Sequence, residues 1–172
     1  MKLTRVQRWL LINQHEILAK LEPGGGHARA AEALRCGYEL EYEHLAAWIY
    51  DEKDTLTEEQ CREVRAIFSM YTMLKASFER LEDAGDITAS DLTFLGFDGN
   101  DQIEGSYMAY AQYVCHDDNQ YSQVDRGDAF NSHMPMLSRY QRMLAAWRQI
   151  DPDRIRLLTA AEIATILSAE RG

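Results

Sequence analysis

Between Thr57 and Leu81 the residues Val64, Ile67, Tyr71, Leu74, Phe78 and Leu81 recur at alternating three- and four-residue steps. Only an α-helix brings that spacing onto one face. Thr57 followed by Gln60 is a capping box, and Glu58 and Glu59 suit the positive N-terminal end. Phe68, Met70 and Met73 widen the stripe, so more than one side of this helix needs cover. At 1.5 Å per residue it would be roughly 35–40 Å long. The expected fold is therefore all-α: a single-domain bundle of seven or eight helices over residues 1–172, around a long central helix at about 57–82.

The other helices follow the same grammar. Thr4 with Gln7 opens a first helix that runs to about Leu21, with Val6, Trp9, Leu10, Ile17 and Leu21 as its apolar face. Pro23-Gly24-Gly25-Gly26 breaks the chain. A helix from about His27 to Cys36 stops at Gly37. Another, at about Glu41 to Tyr50, carries Leu45, Trp48 and Ile49. Asp98 or Asn100 reads as the N-cap of a tyrosine-rich helix from about Asp101 to Cys115, with Ile103, Tyr107, Tyr110 and Val114 on one face. In the stretch from Phe130 to Trp147, Pro135 suits a first helical turn. Met136, Tyr140, Met143 and Trp147 then recur at helical spacing, with Arg139, Arg142 and Arg148 on the other face. Thr159 with Glu162 caps a last helix of Ile163, Ile166 and Leu167.

Charge narrows the partners. A net charge of −10 argues against nucleic acid, whose phosphates need cations. Glu82 to Asp125 holds ten acidic residues and no Lys or Arg, whereas Arg126 to Arg156 holds six arginines. Such blocks can meet within one chain or across a homodimer. No apolar run is long enough to span a membrane. The N-terminus has no export signal, so the chain reads as cytoplasmic, with Cys36, Cys61 and Cys115 as reduced thiols.

No motif declares a reaction. The glycine run lacks a following Gly-Lys-Ser/Thr and is not a phosphate loop. Asp98, Asn100, Asp101 and Glu104 do not match calcium-loop spacing. His116 to Gln120 reads as a polar loop, because adjacent residues rarely converge on one metal. No catalytic residue, metal ligand or cofactor is therefore assigned. An alternative is a ribonuclease of the HEPN type using Arg126 and His133, which have its Arg…His spacing but fall in a loop.

The segments QRWLLINQ (Gln7–Gln14), TFLGFDGN (Thr93–Asn100) and FNSHMPM…Y…ML..W (Phe130–Trp147), with the tyrosine-rich helix, resemble the YfbU-like family of bacterial proteins of uncharacterised function. The triple glycine departs from that pattern in a loop. The resemblance implies an all-α cytoplasmic domain and brings no catalytic residues. Some members join it to a helix-turn-helix, which suggests a ligand-binding role. The expected function is thus a ligand-binding or regulatory module that self-associates as a homodimer or dimer of dimers. A small-molecule site is expected near Phe94, Phe97, Tyr107, Tyr110, Asn131 and His133, where polar groups sit beside aromatics. The alternative is a purely structural interaction protein.

Overall fold

A computed structural model describes residues 1–51, 55–117, 121–125, 127–153 and 155–171, with the backbone alone at 117 and 171. It is all-α. The helices are α1 (Arg5–Leu21), α2 (His27–Cys36), α3 (Glu39–Leu45), α4 (Glu58–Phe78), α5 (Gln102–Gln112), α6 (Leu137–Ile150) and α7 (Ala160–Ser168). Among the described residues there is no strand, only an isolated parallel bridge between Phe97 and Asn131. No helix among them is long and apolar enough to cross a membrane. The chain groups into two compact units, Met1–Thr55 and Leu56–Gly172.

In the N-terminal unit, α1 and α2 pack along their lengths. Thr4 and Gln7 form the expected capping box. Gly37 ends α2 in the left-handed conformation, at φ 74°. Ala30, Ala31, Ala33 and Leu34 of α2 and Tyr42 of α3 are buried. The third helix stops at Leu45, short of the expected Tyr50, and Tyr42 is its one buried side chain. Beyond it Trp48, Ile49 and Tyr50 stand in solvent.

The C-terminal unit is built on α4. Val64, Ile67, Phe68, Met70, Tyr71 and Leu74 are buried, so its wide stripe is covered within the unit. The helix ends at Phe78, four residues before the expected end, and Glu79 caps it. Tyr140, Met143, Leu144 and Trp147 of α6 and Ile163 and Ile166 of α7 complete the same core. Leu158 donates its backbone N–H to Ser77 Oγ at 3.0 Å, which ties the approach to α7 to the end of α4. The N-cap of α5 is Asp101, whose carboxylate accepts the N–H groups of Ile103 and Glu104 at 2.9 Å. Asp98 instead accepts the N–H of Asn100, closing the preceding turn.

Candidate functional site

Two of the most distinctive sequence segments meet in the C-terminal unit. Phe97 donates its N–H to Phe130 O at 2.9 Å, and Ser132 returns one to Phe97 O at 2.9 Å. Gly96 is at φ +97°, and a Cβ there would lie 1.9 Å from Phe130 O, so only glycine fits. Asn131 Oδ1 accepts from Gly99 N at 3.1 Å and from His133 N at 3.0 Å. Tyr140 donates its hydroxyl to Gly96 O at 2.9 Å. Glu104 accepts from Asp98 N at 2.8 Å, Met136 N at 3.0 Å and Leu137 N at 2.9 Å. Its carboxylate thereby caps α6, whose own N-cap, Met136, supplies no side-chain bond. Pro135 precedes the helix rather than sitting in its first turn.

Of the six expected site residues, Phe94, Phe97, Tyr107 and Asn131 meet around this junction, His133 follows Asn131 in its turn, and Tyr110 contacts Arg65 of α4. Phe94 and Phe97 are fully buried, with ring centroids 5.5 Å apart, and Phe97 lies 5.5 Å from Tyr107. Tyr107 is buried and donates its hydroxyl to Glu63 at 2.7 Å. Burial and that neighbouring carboxylate push its phenol far above the usual range. Tyr110 is half-buried and accepts from Arg65 Nε at 2.8 Å. Asn131 is consumed in turn bonds, and His133 is exposed at φ 56°. Arg126, which the ribonuclease alternative pairs with His133, lies outside the described residues.

Other reactive groups are placed as follows. Cys115 is buried, and desolvation followed by the nearby Asp125 charge pushes its thiol up to about 11, so it stays protonated at neutral pH. His116 Nε2 sits 3.1 Å from Asp125 Oδ1, and its ring stacks on Phe130 at 5.5 Å. The N–H of Gly127 and the His116 contact hold Asp125 below the ordinary carboxylate range. No group of three His, Cys, Asp or Glu side chains able to hold a metal occurs among the described residues.

Each unit has a cleft. In the C-terminal unit about 400 Å³ is lined by Tyr71, Ile87, Leu95, Leu167 and the acids Asp86 and Glu170. In the N-terminal unit about 430 Å³ lies among Arg5, Arg8, Trp9, Ile12 and Leu34. None of the six expected site residues lines either.

The YfbU domain model matches residues 1–169. The chain belongs to the YfbU family. In this YfbU chain the segments Thr93–Asn100 and Phe130–Trp147 hold α5, α6 and the Phe97 turn together.

The feature that sequence reasoning missed is the state of α1. None of its seventeen residues is fully buried. Arg8, Leu11, Ile12, His15 and Ala19 are half-buried, while Val6, Trp9, Leu10, Ile17 and Leu21 are exposed. The apolar periodicity was there to be read. What it cannot say is whether a face is covered.

Proposed function

We propose that this YfbU-family chain is an interaction module whose N-terminal unit joins a second copy of the chain. One observation carries the reading: the apolar stripe of α1 stands in water, with Trp9 63% exposed, in the same unit as Trp48 at 93%. Large apolar side chains left in water in such number mark an association site. Aromatic side chains each hide roughly 150–250 Å² when buried. Trp9, Tyr38, Trp48 and Tyr50 thus approach the ~800 Å² per partner of a standard interface.

A second copy suits the charge. Residues 1–21 hold Lys2, Arg5, Arg8 and Lys20 against Glu16, whereas residues 38–51 hold Glu39, Glu41, Glu43 and Asp51 with no Lys or Arg. One unit thus offers both halves of a self-complementary patch, as a two-fold dimer requires. The arginine block of the C-terminal unit is less suited. Arg139 pairs with Glu170 at 3.3 Å. Arg142 donates to the carbonyls of Ala169 and Glu170, and Arg156 pairs with Glu162 at 2.6 Å.

The test is sedimentation of full-length variants. Trp9→Glu and Leu10→Glu place a charge on the stripe and are expected to give monomers. Ile103→Glu, on exposed α5 surface, is expected to leave association unchanged. Association unaffected by Trp9→Glu and Leu10→Glu would sink the reading.

A further inference from the structure

The cleft between α1 and α2 has apolar walls from Trp9, Ile12 and Leu34 and carries the guanidinium groups of Arg5 and Arg8. Its volume of about 430 Å³ lies in the range of sites that enclose a ring-sized group. Arg8 donates to Leu34 O at 3.3 Å and pairs with no carboxylate among the described residues. Among the described residues, the Arg5 side chain has no hydrogen-bond or ion-pair partner, and neither do those of Glu39 and Glu41. After these two glutamates come Trp48, Ile49 and Tyr50, all strongly exposed.

Both sets of groups lie at one end of the unit. The amino group of Met1 pairs with Glu43 of α3. A Cβ on Gly37 would lie 2.7 Å from Arg8 Nη1 and 3.8 Å from the Tyr42 hydroxyl, so the starts of α1 and α3 converge there. A two-fold axis through such an end can set the acids of each copy over the bases of the other.

Resting on the self-association reading, we propose that the α1–α2 cleft of one copy receives segment 39–50 of the second copy. Arg5 and Arg8 face Glu39 and Glu41 of that copy, and its Trp48 enters the apolar walls. By symmetry the contact is made twice. The rim charges set orientation and salt sensitivity, and the buried indole supplies most of the affinity.

Charge exchange by mixing tests this with full-length protein. Arg5→Glu places like charges at both contacts of its own homodimer, and so does Glu39→Arg. Each variant alone is expected to associate at least about tenfold more weakly than the wild type. Mixed, each supplies what the other lacks at both contacts, and a heterodimer of near wild-type affinity is expected. Trp48→Ala is expected to weaken association by about tenfold or more. All three positions are exposed, so far-UV circular dichroism should stay unchanged. A mixture that associates no better than either variant overturns the proposal, as does a silent Trp48→Ala. In both cases a wild type that still dimerises leaves the self-association reading standing. A wild type that stays monomeric leaves the face to a different partner, and the proposal falls together with the reading it rests on.

Discussion

Glu104 and Met136 stand 32 residues apart in the chain, and both carboxylate oxygens of Glu104 lie 3.0 Å from the backbone N–H of Met136. The same carboxylate accepts Leu137 N–H and Asp98 N–H. One acidic side chain from the first turn of α5 therefore supplies the missing cap of α6 and closes the Phe97 turn. A negative charge at a helix N-terminus is favourable, and its burial is offset by three N–H donors.

Glu104→Ala leaves those three donors without their acceptor. A buried donor left unsatisfied costs about 1–3 kcal/mol; Met136 N–H is buried while those of Leu137 and Asp98 are half-buried and partly regain water, so a loss of roughly 2–5 kcal/mol is expected. Glu104→Gln keeps an acceptor oxygen and should lose less. Urea denaturation of the two variants checks the order; equal, small losses would show that the carboxylate is not the cap.

Gly96→Ala forces a Cβ into Phe130 O at a positive φ. Backbone must move, and a loss of at least about 2–3 kcal/mol is expected. Gly85→Ala, where a Cβ would meet open space at φ +58°, should cost only about 1 kcal/mol. Thermal melts of the pair separate the close approach from the conformational cost.

Leu74 is fully buried in α4. Leu74→Ala should cost roughly 2–5 kcal/mol through the cavity it leaves. A loss below about half a kilocalorie would place the core elsewhere.

His15 and His27 face each other with Nδ1 atoms 3.2 Å apart. Burial, then the neighbouring His27, lowers the His15 pKa from its ordinary value of 6.5. The unfolded chain therefore takes up a proton first as pH falls, and stability is lost below about 6.5 as pH drops toward the folded value. Melting of the N-terminal unit at pH 7.5 and pH 5 should show this loss, and His15→Gln should reduce it. An unchanged difference in His15→Gln would put the effect on other groups.

Legibility in the sequence followed the range of the interactions. The α4 stripe and the capping boxes at Thr4, Thr57 and Thr159 are local, and each forms as its spacing implies. The cap from Glu104 to Met136 is long-range, and nothing in the first turn of α5 distinguishes it from an ordinary helical acid. Phe94 and Phe97 stand beside polar residues in the chain, which reads as a pocket; in space they fill the core with Phe68, Phe130 and Tyr140. The faces of α1 and α4 look alike as periodicities. One is covered by its own unit and the other is not, and only three-dimensional packing separates them.

The most direct measurement is sedimentation of the wild-type full chain over roughly 1–100 µM at moderate salt. A concentration-dependent shift from the 19.8 kDa monomer to a dimer is predicted, and Trp9→Glu should abolish it. A single 19.8 kDa species throughout that range contradicts self-association through the N-terminal unit.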